Sequence, residues 1–126
     1  MSDSLERLYA GVLAAKTADP SASRTARLLR AGRAKMAKKL AEEAVEVIID
    51  AMHGNRDAVV RESADLLYNL VVLWVSSGVQ PKDVWREMER RERLFGIAEK
   101  LHKDAVDPDA RRKVVTLESR RLHKRR

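Results

Sequence analysis

Two pairs of acidic residues stand at spacings that place their carboxylates on the faces of helices. The first pair is Glu43 and Glu46, with Glu42 directly before them, and the second pair is Glu62 and Asp65. A separation of three residues puts both carboxylates of a pair on one side of a helix, about one turn apart. Four converging carboxylates repel one another unless a cation lies between them. Carboxylate oxygens suit Mg²⁺ or Mn²⁺ rather than zinc, and such an ion can bridge phosphate oxygens and help to activate a water.

The second pair is the stronger indication of a metal site. Acidic pairs on helices are most often solvated, and that explanation suffices for Glu43 and Glu46 taken alone. Glu62 and Asp65, however, form with Asn69 a single polar line on a stretch that is otherwise apolar on nearly every side. A buried carboxylate without compensation is costly, so such groups are paired or bind metals. The two motifs together therefore predict a metal site.

A run of basic residues precedes the acids. Between Pro20 and Leu40 there are seven basic side chains and no acidic one, and the acids begin at Glu42. Cations close to a metal site can take up the phosphate charge that the metal leaves uncompensated. The run therefore indicates a polyphosphate ligand, and its members are Arg24, Arg27, Arg30, Arg33, Lys35, Lys38 and Lys39.

The elements that position these residues are predicted to be helices throughout. Apolar residues recur with the helical period from Leu5, and further helices are predicted over 24–31, 35–53, 57–77 and 81–95. A short turn at 54–56 lets the two acid pairs face each other. The fold class is therefore all-α, a helical bundle of about five helices per chain. Because the fourth helix is too apolar for these helices to cover, we expect dimerisation to complete the core.

Composition excludes several classes of protein. The chain has 126 residues and no cysteine, which rules out a disulfide scaffold, a thiolate metal site and a cysteine nucleophile. Aromatic residues make up only 4%, which is poor material for a β-sandwich or barrel. The longest apolar run without a charge, residues 66–79, is too short to cross a bilayer. With no signal sequence at the start, we expect a soluble, cytoplasmic protein.

The net charge of +7 lies entirely at the end of the chain. Residues 111–126 hold eight basic side chains and one acid, whereas residues 1–110 hold equal numbers of each. We predict an all-α domain over 1–96, which ends with the fifth helix, and a C-terminal extension with a basic tail over 97–126. The tail suits electrostatic binding of nucleic acid, but no aromatic residue in it is available for base stacking. A solvated extension, or one packed on a partner subunit, is the favoured interpretation.

The order of the motifs resembles the all-α NTP pyrophosphohydrolase superfamily. Within it, the match is nearest to the phosphoribosyl-ATP pyrophosphohydrolase family, which catalyses the second step of histidine biosynthesis. The pattern consists of Glu-Glu-x-x-Glu at 42–46, a short turn, and Glu-x-x-Asp at 62–65. The resembling segments lie at 18–29, 38–46, 54–56, 62–68 and 78–91, and together they span roughly residues 4–92.

The resemblance implies a usually dimeric, Mg²⁺-dependent hydrolase. Its reaction cleaves the α–β phosphoanhydride of phosphoribosyl-ATP, giving phosphoribosyl-AMP and pyrophosphate. Residues matching the family's metal ligands are Glu43, Glu46, Glu62 and Asp65. Glu42 matches an extra acid that orients or deprotonates the water, and Glu43 is also assigned to catalysis. The positions assigned to substrate binding are Thr25, Arg27, Lys38, Lys39 and Asn69.

Three positions depart from the family pattern. The pattern favours Tyr, Gly and His where this chain has Arg24, Ala41 and Asn69 respectively. Asn69 lies on the polar line of the fourth helix, so its identity bears on the site. These departures leave open a house-cleaning enzyme that hydrolyses another (deoxy)nucleoside triphosphate, or a paralogue that uses another nucleotide. A non-enzymatic module that binds nucleic acid through the tail is the remaining alternative.

Overall fold

The fold is all-α in the computed structural model, as the sequence predicts. The structure describes residues 4–95, and this part of the chain contains five helices and no strand. The predicted second and fifth helices match the observed bounds, and the third and fourth begin within two residues of their predicted starts. The helices are α1 (Ser4–Ala15), α2 (Arg24–Ala31), α3 (Arg33–Met52), α4 (Arg56–Ser77) and α5 (Pro81–Phe95).

Two glycines lie in the short connections that join α2 to α3 and α3 to α4. Gly32 has φ +99° and alone separates α2 from α3, which is why α3 begins earlier than predicted. Gly54 has φ +69° in the three-residue turn between α3 and α4. The side chain of Asn55 then accepts a hydrogen bond of 3.2 Å from the backbone N–H of Ala58 and caps α4. This short connection makes α3 and α4 a helical hairpin, and their contact is the most extensive between helices in the described chain.

The hydrophobic core lies within the first compact unit, which ends at Asp83. It is centred on α4, as predicted, and Tyr68 and Trp74 pack at its edge. Its buried members come from α1, α2, α3 and α4 and are Val12, Leu28, Met36, Val71, Val72 and Val75. On α3 only Met36 is buried, and the large apolar side chains of Val45, Ile48, Ile49 and Met52 are exposed among the described residues.

The second compact unit begins at Val84, within α5. In its described part, Glu87 accepts hydrogen bonds from Arg90 at 2.8 Å and from Arg91 at 3.1 Å, which lower the pKa of Glu87 to about 2. None of the helices between residues 4 and 95 is long and apolar enough to cross a membrane. The predicted extension over 97–126, with its basic tail, lies outside the described residues, and the division into 1–96 and 97–126 stays a prediction.

Candidate metal and phosphate site

Three acidic side chains converge between the two helices of the hairpin. Glu43 on α3 and Glu62 and Asp65 on α4 each place one carboxylate oxygen within 4.8 Å of the other two. Glu43 and Glu62 are half-buried, and Asp65 is exposed. The spacing of three residues on α4 and the short turn before it bring the three groups together. We call these three residues the carboxylate cluster.

The fourth predicted ligand, Glu46, lies beside the carboxylate cluster. Hydrogen bonding with Glu46, and then with Glu43, raises the pKa of Glu62 to about 7, and partial burial and the neighbouring charges add to the effect. Burial raises the pKa of Glu43, and the negative charges of Glu46 and Asp65 act in the same direction. Without a cation these neighbours favour the protonated forms of Glu62 and Glu43, whereas a bound cation favours the ionised forms.

One oxygen of the carboxylate cluster is buried without a hydrogen-bond partner. This atom is Glu43 Oε2. A buried carboxylate oxygen without a partner is costly, and such an atom in a native structure calls for an explanation such as a bound ion. Three convergent carboxylates form the all-oxygen donor set that Mg²⁺ and Mn²⁺ prefer. The residues present therefore fit a divalent cation of this class.

A cavity of about 750 Å³ opens beside the carboxylate cluster. Glu43 and Asp65 line it on the acidic side, and its basic residues come from α2 and from the first part of α3. An anionic ligand in this space meets cationic side chains as well as the carboxylates that fit a metal. The full lining is Arg24, Thr25, Arg27, Leu28, Ala31, Lys35, Lys39, Glu43, Asp65, Tyr68 and Asn69.

The structure brings four of the five predicted substrate-binding residues to the cavity. Thr25, Arg27, Lys39 and Asn69 line it, whereas Lys38 is exposed and outside the lining. Asn69 is buried, and its Nδ2 donates a hydrogen bond of 2.8 Å to the backbone carbonyl of Asp65. Asn69, the last member of the polar line on α4, therefore faces the cavity together with Asp65.

Glu42 lies apart from these groups. Its side chain is exposed on α3 and belongs neither to the carboxylate cluster nor to the cavity lining. Its predicted role with the water stays a prediction, as does the assignment of each site residue to a particular function.

Three polar residues of the cavity are absent from the predicted site. Arg24 and Lys35 belong to the basic run, but nothing in their spacing separates them from the basic residues that lie elsewhere. Tyr68 carries a clearer signal, because it follows Asp65 by three residues and therefore lies on the same side of α4. Its hydroxyl forms a hydrogen bond of 2.7 Å with the hydroxyl of Thr25 on α2.

Comparison with known proteins identifies relatives along the whole chain. A family profile described as phosphoribosyl-ATP pyrophosphohydrolase matches residues 5–92. The chain is 64% identical to phosphoribosyl-ATP pyrophosphatase 2 of Bradyrhizobium diazoefficiens over 99% of each chain. It is 62% identical to the protein of the same name from Rhodopseudomonas palustris over the full length of both. It is also 54% identical to phosphoribosyl-ATP pyrophosphatase of Gluconobacter oxydans, over 76% of this chain and 72% of that protein.

The matched region contains α2, α3 and α4 and with them the carboxylate cluster and the cavity. The resemblance drawn from the two acid pairs is thereby confirmed. The chain belongs to the phosphoribosyl-ATP pyrophosphohydrolase family.

Proposed function

We propose that this protein hydrolyses the α–β phosphoanhydride of phosphoribosyl-ATP, giving phosphoribosyl-AMP and pyrophosphate in histidine biosynthesis. In this reaction a water oxygen bonds to phosphorus and the anhydride P–O bond breaks, with pyrophosphate as the other product. Membership of the family supports the substrate. The structural observation that carries the proposal is the carboxylate cluster at the wall of a cavity whose other polar residues are largely cationic.

The proposed cofactor is Mg²⁺, with Mn²⁺ as a substitute. Glu43, Glu62 and Asp65 would hold it, and Glu46 lies close enough to Glu62 to complete the set. Held by these residues, such an ion would supply Lewis-acid stabilisation of the negative charge that develops on the phosphate oxygens. Ionisation of the cluster accompanies binding, because a cation removes the repulsion that otherwise keeps a proton on the carboxylates.

The chain's own cations complete the proposed phosphate site. Arg24 and Arg27 on α2 and Lys35 and Lys39 on α3 line the cavity. Guanidinium and ammonium groups form charge-assisted hydrogen bonds with phosphate oxygens and orient the polyphosphate against the cluster. The proposed role of Glu42 is to orient the attacking water or to accept its proton.

Pyrophosphate release from phosphoribosyl-ATP, measured with and without Mg²⁺, tests this function. We expect turnover that is abolished by chelation and restored by Mg²⁺. Glu62→Gln removes one metal ligand while keeping the side chain's shape, so we expect kcat/KM to fall by at least about 100-fold, comparable to the loss of a major transition-state contact. The matched control is Glu6→Gln on an exposed face of α1. Full activity of Glu62→Gln contradicts the assignment of the site.

A second candidate is hydrolysis of a non-standard (deoxy)nucleoside triphosphate. Two of the three departures from the family pattern, Arg24 and Asn69, line the cavity, whereas Ala41 is exposed outside it. Two departures therefore fall where the ligand would be recognised, and the third does not. The same assay with a panel of nucleoside triphosphates separates the candidates, because turnover of a triphosphate without turnover of phosphoribosyl-ATP favours the second.

The proposed assembly is a homodimer, and the proposed location is the cytoplasm. Large apolar side chains stand exposed along α3 and on the neighbouring α4, among them Val45, Ile48, Ile49 and Met52 on α3 and Val60 and Leu67 on α4. A single chain rarely leaves so many large apolar groups in water, and a second copy of the hairpin supplies a matching apolar face. Nucleic-acid binding through residues 111–126 is the less favoured role of the tail.

A further inference from the structure

We infer that Tyr68 is a positioning residue for the proposed hydrolysis: its hydroxyl, hydrogen-bonded to Thr25, holds α2 so that the basic residues of α2 line the cavity beside the carboxylate cluster. This inference rests on the proposed function and adds to it an uncharged residue that lies outside the carboxylate cluster. Its basis is a contact between two helices.

The contact is a short hydrogen bond between residues far apart in the chain. The hydroxyls of Thr25 and Tyr68 are 2.7 Å apart, partly buried, and separated by 43 positions in the sequence. Both residues line the cavity. A short, partly buried hydroxyl pair is a directional link, so it sets the position of α2 relative to α4.

The α2 side of the link carries two of the cations that line the cavity. Arg24 and Arg27 flank Thr25 on α2, line the cavity and are exposed to solvent. The helix has only eight residues, too few to be stable in isolation. It is capped by the side chain of Ser23 and anchored through buried Leu28, while Arg27 donates a hydrogen bond of 2.7 Å to the carbonyl of Pro20. These contacts stabilise α2, and the hydroxyl of Thr25 links it to α4.

The α4 side of the link is rigid. The ring of Tyr68 packs against the hydrophobic core, and the residue stands on the same helix as Glu62 and Asp65. The hydroxyl is therefore at a defined distance from the carboxylate cluster. The hydrogen bond then holds Thr25, and with it the guanidinium groups of α2, near the carboxylate cluster. Loss of the hydroxyl leaves the cluster intact and frees only the part of the cationic lining that α2 carries.

Kinetics of Tyr68→Phe distinguishes this role from a purely structural one. The ring and its packing remain, so we expect KM for phosphoribosyl-ATP to rise about five- to tenfold, which is the effect of one hydrogen bond on binding. We expect kcat to change less than twofold on the same reasoning, because binding that is equal in the ground and transition states affects KM alone. The Mg²⁺ concentration for half-maximal rate should not shift, since the carboxylate cluster is unchanged.

Thr25 provides the second arm of the experiment. Thr25→Val keeps the shape and removes the hydroxyl, and it should raise KM to the same extent as Tyr68→Phe. The double variant should be no worse than either single one, because both remove the same bond. Thr25→Ser keeps the hydroxyl and should recover most of the affinity. Tyr9→Phe is the matched control, since Tyr9 also packs against the core but does not line the cavity.

The outcomes separate this inference from the proposed function. Wild-type protein that does not release pyrophosphate from phosphoribosyl-ATP contradicts the proposed function. Wild-type turnover with an unchanged KM in Tyr68→Phe overturns the positioning role, and so do additive effects in the double variant or a parallel shift in the Mg²⁺ requirement. Thermal melts followed by circular dichroism test whether each variant is folded. If Tyr68→Phe does not fold, the comparison of Thr25→Val with Thr25→Ser decides the question.

Discussion

At the scale of single residues, Glu62 couples the protonation of the site to the stability of the fold. Its pKa in the folded protein is about 7, above the ordinary value of 4.5, because its protonated carboxyl is favoured by hydrogen bonds with Glu46 and Glu43. A group whose pKa is raised by folding stabilises the folded state below its unfolded pKa, and that stability is lost as the pH rises through the folded pKa. The relevant window is therefore between pH 4.5 and about 7.

We predict that the melting temperature of the metal-free protein falls as the pH rises through this window. Added Mg²⁺ or Mn²⁺ should remove most of the fall, because the cation stabilises the ionised cluster. Glu62→Gln should flatten the curve without metal. Thermal melts at a series of pH values with a chelator provide the measurement. The lowered pKa values of Asp19 and Glu87 act only below pH 4.5, so they do not mask the effect.

At the scale of elements, the turn between α3 and α4 determines whether the acid pairs meet. Gly54 has φ +69°, a left-handed conformation that costs any residue with a Cβ about 1–2 kcal/mol. The turn is closed by backbone hydrogen bonds from Gly54 N–H to the carbonyl of Ala51 at 3.1 Å and from Asn55 N–H to that of Asp50 at 3.0 Å. Gly54 therefore permits the hairpin without contributing a side chain to it.

We predict that Gly54→Ala lowers the free energy of unfolding by about 1 kcal/mol. Gly11→Ala is the matched control, because Gly11 lies within α1 and an added Cβ meets no atom within 4 Å at either glycine. The control should stabilise the protein by up to about 1 kcal/mol, since alanine is the better helix former. Urea unfolding followed by circular dichroism measures both. Equal effects at the two positions would show that backbone conformation is not the cause.

At the scale of the whole molecule, the exposed apolar face of the hairpin indicates assembly. Ile48 and Met52 on α3 are large apolar side chains, and they are 60% and 81% exposed. The proposed partner is a second copy of the chain, which would cover this face and complete the core around α3 and α4.

We predict a dimer of about twice the chain mass of 14.3 kDa by light scattering after size-exclusion chromatography. Ile48→Glu should shift the protein toward monomer, because it would place a charge in the apolar interface. Ala10→Glu introduces the same charge on an exposed position of α1 and should leave the dimer intact. A wild-type monomer at micromolar concentration, or an unaltered dimer in Ile48→Glu, contradicts the proposal.

Helix content and bounds were predictable because their causes are local. The apolar period, the glycines at 32, 54 and 78 and the proline at 81 each act within one or two turns. The carboxylate cluster was nearly as predictable, since Glu62 and Asp65 share a face and a three-residue turn allows few arrangements of the neighbouring helix. Burial along α3 was not predictable from one chain, because the period shows which side is apolar but not what covers it.

The sequence by itself determined the two acid pairs, the helices that carry them, the basic run before them and the family. These features depend on residue types and on spacings of three or four positions, which the helical repeat converts directly into geometry. Only the tertiary structure decided which members of the basic run reach the cavity, that Glu42 and Lys38 stand outside it, and that Tyr68 links α4 to α2. Those outcomes depend on how α2 packs against α3 and α4. The contact between Thr25 and Tyr68 joins residues 43 positions apart, and no local spacing encodes it.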